Sequence, residues 1–280
     1  MPRDAQIKRM LAHFDWDALS RVEDAAGGLA GAALVSSRPS PLGTVAQIDS
    51  AIAGLEHAGA MHRLVAWGLQ LSRAAGASVA QVWVGPGAGA TLADLGLQMA
   101  RPWWRMDRAL AGDLPAPVPV SGYDLLDGSQ VPSGSWAEMH NRSFADHWRF
   151  TPRSEQELIA GKSPSLCLMA VASVKGLHAR ARHSPHDPAA VTLCQLENYA
   201  GDPRPQPVGL ISSVGTVPEH RRRGLARWLV AEGLVRLRAA GAQHASLYVD
   251  GWNETRAFDA YSKLGFALAF ESEVWEATFP

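Results

Sequence analysis

Apolar residues in the last third of the chain recur at helical spacing between two strand-like runs. Five leucines and valines lie on one face of a helix predicted over residues 224–240: Leu225, Leu229, Val230, Leu234 and Leu237. The flanking runs, 208–217 and 244–250, are short and apolar, which is typical of buried strands. This stretch therefore predicts a strand, a helix and a second strand joined by short connections.

The same pattern predicts further elements on both sides of that unit. Before it, strands are expected at 120–126, 166–173 and 189–198, and helices at 135–147 and 153–161. After it, a helix is expected at 254–264 and strands from residue 267 onward. Strands that alternate with amphipathic helices indicate a mixed sheet covered by helices.

A proline-rich stretch and a weak internal repeat divide the chain into two halves. Three prolines in residues 109–120 disfavour both a helix and a central strand, and predict a linker. Residues 72–84 match residues 237–249, and with a gap of four residues 92–106 resemble 260–275. A repeat of this size predicts two copies of one domain, over residues 1–112 and 118–280. The first copy is expected to open with one helix before strands near 19–36.

Composition limits the class of protein. The chain has 280 residues and a net charge of −1, without the basic surplus of a nucleic-acid-binding domain. Its two cysteines, Cys167 and Cys194, lie in strand-like runs and are expected to be small buried residues without a disulfide. The first ten residues lack the apolar core of a signal peptide, and no apolar run approaches ~20 residues. We therefore expect a cytoplasmic protein that binds neither membranes nor nucleic acid.

Three consecutive arginines, Arg221 to Arg223, precede Gly224 and the predicted helix. A helix begins with unpaired backbone N–H groups and a partial positive charge, and a glycine lets a ligand approach the backbone closely. The arginines alone are typical of a solvated basic turn, but the strand, the glycine and the helix together favour a phosphate or pyrophosphate site. The P-loop and dinucleotide-binding motifs are both absent from the sequence.

The pattern Arg221-x-x-Gly224-x-Ala226, after a strand that ends Val-x-Thr-Val-Pro, resembles the Q/R-x-x-G-x-G/A motif of the GCN5-related N-acetyltransferase (GNAT) family. A second stretch, LYVDGWNETRAFDAYSKLGF (247–266), resembles a later strand and helix of that family. The resemblance covers about residues 118–280. The tandem layout and HNRSFADHW (140–148) further resemble two-domain members such as the mycothiol synthases. The resemblance implies an α/β (α+β) protein with two tandem GNAT-like domains. Each would have a mixed, mostly antiparallel sheet flanked by helices, and the first would be degenerate.

The resemblance also implies the donor and the residues that bind it. The donor would be acetyl-CoA, with its pyrophosphate on a loop made of Arg222, Arg223, Gly224, Leu225, Ala226 and Arg227. The pantetheine arm would pair with the backbone of Val214, Gly215 and Thr216, and would also contact Asn253. Asn253 lies eight residues before Tyr261, where many members have seven. Tyr261 would protonate the departing thiolate, which a phenol with a pKa near ~10 can do.

The general base has no clear counterpart in the sequence. Leu210 stands where the mycothiol synthases have their active-site glutamate. Glu197, in the strand next to 208–217, is the candidate base, and a solvated glutamate on an edge strand is the alternative. His140 and His147 lie seven residues apart on one helix face that could border the acceptor cleft, although structural histidines are the commoner case.

No metal site is expected. Three histidines, His178, His183 and His186, lie in a predicted loop over 175–188 without cysteine or carboxylate partners, which makes a poor zinc site.

The first half lacks the residues that would carry the chemistry. At the fixed offset of the repeat, Glu56, His57 and Ala58 stand at the positions of Arg221 to Arg223, while Gly59 keeps the glycine. Leu92 stands at the position of Tyr261. We therefore expect this half to support the second one structurally, with Trp103 and Trp104 packed towards it.

These observations predict an N-acetyltransferase that moves an acetyl group from acetyl-CoA to a primary amine of a small-molecule acceptor. The expected mechanism is direct attack in a ternary complex, because the sequence offers no signature of a covalent intermediate. The alternative is a non-catalytic protein that binds or senses acyl-CoA.

Overall fold

The structure is a computed structural model that describes residues 18–23, 29–40, 43–52, 58–173, 187–198, 204–253 and 256–280. Strands of the first half are β1 Ala18–Glu23, β2 Leu29–Ser40, β3 Gly43–Ile52, β4 Val79–Val84 and β5 Gln98–Ala109. Strands of the second half are β6 Tyr123–Asp127, β7 Cys167–Ala172, β8 Asp187–Glu197, β9 Val208–Thr216, β10 His244–Asp250 and β11 Ala267–Thr278. The α-helices are α1 Ala58–Ala74, α2 Ser135–Phe144, α3 Glu155–Ile159, α4 Leu225–Ala239 and α5 Ala257–Ser262.

Most predicted elements of the second half are present, with small differences at their ends. The predicted helix over 135–147 ends at Phe144, because the chain turns there and the amide of His147 donates to the carbonyl of Phe144. The strand predicted from residue 120 begins only at Tyr123, after a turn that Val120 opens. Most of the predicted loop over 175–188 lies outside the described residues, but its last two residues already belong to β8.

The two halves repeat one parallel unit. In the first, α1 connects the parallel strands β3 and β4, and in the second, α4 connects the parallel strands β9 and β10. Each helix is followed by a glycine with positive φ, 75° at Gly76 and 98° at Gly241, which allows the sharp turn into the next strand. This agreement accounts for the sequence match between 72–84 and 237–249.

All eleven strands form one sheet in the order β1-β2-β3-β4-β11-β5-β10-β9-β8-β7-β6. The last strand of each half pairs with a strand of the other half. Strand β11 pairs with β4, and β5 pairs with β10, while β5 and β11 pair with each other at the centre. The predicted linker therefore begins at Leu110, and β5 before it is an interior strand of the joint sheet.

Helices cover both faces of the second half. Helices α4 and α5 pack on one face over Met106, Leu247 and Val249, and α2 and α3 pack on the other face. We call the face under α2 the acceptor face.

Trp104 contacts Phe258 of α5 edge-to-face at 5.2 Å, so a tryptophan of the first half does pack on the second. Cys167 and Cys194 are buried free thiols, as predicted.

Candidate functional site

A gap opens between β9 and β10. The two strands pair over only four positions, from Val208 opposite His244 to Ile211 opposite Leu247. Strand β9 then continues to Thr216 and β10 to Asp250 without pairing with each other. Residues 213–216 of β9 pair with β8 alone, so their other backbone edge faces the gap. An extended ligand can bind such an edge as an added strand would.

The loop at the open end of the gap presents backbone N–H groups. Arg222 and Gly224 both adopt the left-handed conformation, with φ of 62° and 90°, and Gly224 immediately precedes α4. The first turn of α4 contains no acidic residue, and no side chain caps it. Its free amides and the helix dipole therefore favour an anion at this position.

Arg221 holds the loop in place. Its guanidinium forms a two-point ion pair with Asp146, at 2.5 and 2.9 Å, just beyond the end of α2. It also donates to the backbone carbonyls of Thr216 and Ser143, each at 3.1 Å. The hydrogen bond from Arg221 lowers the pKa of the Asp146 carboxyl. The first arginine of the motif thus connects β9, the loop and α2, and its guanidinium is already occupied.

The other arginines differ in their freedom to bind a ligand. Arg223 donates to the hydroxyl of Tyr123 at 2.9 Å and to the carbonyl of Glu219 at 3.1 Å. Tyr123 in turn lies 2.8 Å from Nδ1 of His220. Arg222 and Arg227 are exposed and form no hydrogen bond or ion pair with the described part of the chain. They are the two cations of the loop that remain available.

A shallow basic groove continues from the loop towards α5. It has a volume of about 370 Å³ and is lined by Arg227, Arg256, Asp259, Ala260 and Lys263. Arg256 is paired with Asp259 at 2.5 Å, which leaves Arg227 and Lys263 as the excess positive charge. The groove extends the anion-binding character of the loop.

Asn253 and Tyr261 both follow β10 in the chain. Tyr261 is in α5 and packs against the core under α4, with its ring 6.2 Å from that of Phe266. Burial raises the pKa of the Tyr261 phenol, which keeps it protonated at neutral pH. Asn253 lies in the turn after β10, where its amide donates to Asp250 and its carbonyl accepts from Arg256. The structure brings both residues to the segment that follows β10.

Glu197 is remote from the loop. It is the last residue of β8 and lies opposite Val208 of β9. Val208 precedes Thr216 by eight residues, which is about 26 Å along the strand. Glu197 is closer to the start of the gap, which lies just after Ile211. Val208 precedes Ile211 by three residues, or about 10 Å. The Gln195 side-chain amide donates to Glu197, and Gln195 itself lies opposite Leu210. Glu197 is therefore near the closed end of the gap.

The two histidines proposed to share a helix face are in different environments. His140 is buried in α2 and stacks on Phe144 at 4.5 Å, and desolvation lowers its pKa to about 4. His147 lies beyond the end of α2, with its ring 4.7 Å from Phe144. Desolvation lowers the pKa of His147, with opposing contributions from Asp146 and Asp250. Both rings are thus neutral at pH 7. His178, His183 and His186 lie outside the described residues.

Sequence analysis missed a contribution from the first half. Strand β5 lies beside β10 and places Arg101, Arg105 and Asp107 on the acceptor face. Arg101 is paired with Asp250 at 2.5 Å, and Asp107 accepts from the Ser246 hydroxyl at 2.8 Å. The three charged residues were visible in the sequence, but their proximity to β10 depends on the exchange of strands.

The first half has no equivalent of the loop among its described residues. Helix α1 already begins at Ala58, and Gly59 lies in its first turn, whereas Gly224 precedes α4 with a positive φ. Glu56 and His57 lie outside the described residues. Leu92 is fully buried in the core beneath α1. The helix start therefore lacks the left-handed glycine that shapes the loop of the second half.

Comparisons with known proteins give consistent results. The family model of FR47-like proteins matches residues 195–275. A mycothiol acetyltransferase of Thermobispora bispora is 31% identical over 65% of this chain and 59% of its own length. Another, of Sanguibacter keddieii, is 30% identical over 76% of this chain and 68% of its own length. This chain spans 55% to 59% of the first three such relatives.

A solved structure shows the same fold. The GCN5-related N-acetyltransferase of Sphaerobacter thermophilus has a TM-score of 0.75 and 20% sequence identity, over 98% of this chain and 84% of that one.

Proposed function

Since the chain belongs to the GCN5-related N-acetyltransferase family, we propose that it transfers an acetyl group from acetyl-CoA to a primary amine of a small molecule. The observation that carries this proposal is the gap between β9 and β10, with a cationic loop and a free helix start at its open end. A pyrophosphate fits that end, and an extended pantetheine arm fits the edge of β9.

The residues around the gap suit acetyl-CoA. Gly224 provides the left-handed turn that exposes the amides of Leu225 and Ala226, and the unpaired Arg222 and Arg227 add positive charge. The available backbone edge of β9 includes Val214, Gly215 and Thr216. In this proposal Arg223 contributes positive charge to the loop, and its hydrogen bond to Tyr123 also fixes the loop to β6. Asn253 contributes from the turn after β10.

Acetyl transfer forms a C–N bond at the acceptor nitrogen and breaks the thioester C–S bond. Tyr261 donates its proton to the sulfur as that bond breaks, and its raised pKa keeps the proton available. The acceptor amine must lose protons to give a neutral amide. We assign their removal to Glu197, through water, because it lies near the closed end of the gap. His147 is the competing base, because burial holds its ring neutral.

The first half supports the site without chemistry of its own in this proposal. It supplies β5, and with it one side of the acceptor face. The buried Leu92 offers no proton donor at the place that Tyr261 takes in the second half.

Release of free CoA thiol from acetyl-CoA tests the proposal. The purified chain would be incubated with a panel of small amines, amino acids, aminoglycosides and peptides, and thiol would be followed with a colorimetric reagent. Amine-dependent release that Tyr261→Phe lowers by up to ~10²–10⁴-fold is the expected result. Tight binding of acetyl-CoA without release for any amine would favour the alternative, an acyl-CoA-binding or sensing protein, for which the leucine at position 210 is the main argument.

The base is tested by pH–rate profiles of Glu197→Gln and His147→Gln. Loss of the acidic limb in only one variant would identify the residue that accepts the proton.

A further inference from the structure

Three residues form a lateral row on the acceptor face. Tyr248 of β10 lies directly opposite Arg105 of β5, and Arg105 lies directly opposite Phe270 of β11. Directly opposed residues of paired strands project from the same face of a sheet. The neighbouring Leu247 and Met106 are buried beneath α4, so the row lies on the opposite face of the sheet, the acceptor face.

Both aromatic side chains of the row are unusually exposed for their size. Tyr248 is 47% exposed and Phe270 is 52% exposed, whereas most large apolar side chains of this half are buried. Two exposed rings on either side of an arginine provide an apolar surface that a ligand can cover.

The guanidinium of Arg105 has free donors. Its Nε lies 3.1 Å from a carboxylate oxygen of Asp107, and its terminal nitrogens have no partner within the described residues. Asp107 is shared, because Arg204 donates to its other oxygen at 2.9 Å. Two guanidinium groups therefore share the carboxylate of Asp107.

The row lies where the gap begins. Tyr248 directly follows Leu247, the last residue of β10 that pairs with β9. A molecule bound on the row is therefore beside the point where the thioester is expected to lie.

We propose that the acceptor carries a carboxylate in addition to its primary amine, with Arg105 binding the carboxylate and Tyr248 and Phe270 contacting the apolar part. The proposal rests on the proposed acetyl transfer and adds the class of acceptor to it. A guanidinium presents two parallel N–H donors that match a carboxylate, and its terminal nitrogens here are free to do so. Strand β5 of the first half thus supplies a substrate-binding residue to the second.

The test compares three amines that share one apolar group: L-phenylalanine, L-phenylalaninamide and phenethylamine. With acetyl-CoA at saturation, we expect kcat/KM for L-phenylalanine to exceed that of the two amines without a carboxylate by about tenfold or more. Arg105→Gln should remove this preference mainly through KM, and Arg105→Lys should keep part of it. Arg63→Gln removes an exposed guanidinium from α1 and should leave all three amines unchanged. Circular dichroism and thermal melting show whether each variant folds.

A second measurement separates this proposal from the proposed function. If no amine is acetylated, binding of 3-phenylpropionate and 3-phenylpropanamide to the CoA-saturated protein is followed by ligand-observed NMR. Binding of the carboxylate alone, lost in Arg105→Gln, would support the site although the chemistry had failed. Equal binding or equal turnover of acid and amide would overturn the proposal, as would an unchanged KM in Arg105→Gln. If Arg105→Gln does not fold, Phe270→Ser is measured instead. This variant should weaken binding of the acid and of the amide equally, so that the ratio of their dissociation constants is unchanged. A changed ratio would count against Arg105 as the carboxylate-binding residue.

Discussion

Arg222 and Arg223 occupy the same loop but have different surroundings. Arg222 has no partner in the described structure, and Arg223 is fixed by Tyr123 and Glu219. Changing both to glutamate should raise the dissociation constant of CoA at least ~10-fold, because charge-assisted phosphate contacts contribute about 1.5–3 kcal/mol each. Isothermal titration calorimetry provides the measurement, with Arg63→Glu on α1 as a control for charge reversal away from the loop. Unchanged affinity in a folded double variant would place the pyrophosphate elsewhere.

Tyr261 combines a packing role with a proton that it can donate. Replacing it with phenylalanine keeps the ring against Phe266 and removes the hydroxyl. We expect turnover to fall by up to ~10²–10⁴-fold while the dissociation constant of CoA stays within about twofold. Steady-state kinetics at saturating acetyl-CoA and calorimetry together check this. Turnover close to that of the unmodified chain would leave Tyr261 as a packing residue only.

His140 should make stability depend on pH. Burial lowers its pKa to about 4, while in the unfolded chain the pKa is near ~6.5. Between these values the unfolded chain binds a proton that the folded chain does not. The free energy of unfolding should therefore fall as the pH falls through this window, by about 2–3 kcal/mol. Denaturant melts at several pH values would show a flatter profile for His140→Gln. A profile for His140→Gln as steep as that of the unmodified chain would exclude His140 as the cause.

At the scale of elements, the loop before α4 depends on its attachment to α2. Asp146→Asn removes the charge that Arg221 binds at 2.5 Å. We expect faster hydrogen exchange in residues 217–224 and several-fold weaker binding of CoA, since the loop loses its fixed conformation before binding. Glu138→Gln, which removes an exposed partner of Arg142 on the same helix, should change neither.

The Arg221 attachment should also respond to acid. Arg221 keeps the pKa of Asp146 below its ordinary value, so the pair is intact above that ordinary value and is lost as the pH falls further. Protection of the loop from hydrogen exchange should follow this titration in the unmodified chain and be independent of acid in Asp146→Asn. Identical exchange in both proteins would contradict the role given to Arg221.

The sequence predicted the elements of the second half well, because each has a clear local signal. The helical period fixed α4, and Gly76 and Gly241 marked the turns that end α1 and α4. The loop was predictable for the same reason, since its conformation depends on adjacent residues. The role of Arg221 was not, because its partners Asp146 and Ser143 lie more than 70 residues away in the chain.

At the scale of the whole molecule, the exchange of strands was beyond sequence analysis. The repeat showed two similar halves and placed β5 and β11 at equivalent positions, but pairing between halves leaves no local pattern. Without this exchange, Arg105 and Asp107 belong to a separate domain and have no connection with an acceptor. Their position beside β10 makes the two halves one folded unit.

The exchange also predicts how the chain responds to being divided. A fragment of residues 115–280 lacks β4 and β5, so β10 loses one partner strand, β11 loses both of its partners, and Met106 leaves the core beneath α4. Exposed strand edges and apolar surface promote aggregation, so we expect this fragment to be poorly soluble. Co-expression with residues 1–114 should restore a soluble complex, because β4 and β5 are then supplied by a second chain. Calorimetry on that complex should give one CoA per pair of fragments. A soluble, fully active monomer of 115–280 would show that β5 is dispensable, and two CoA per complex would show that the first half still binds the cofactor.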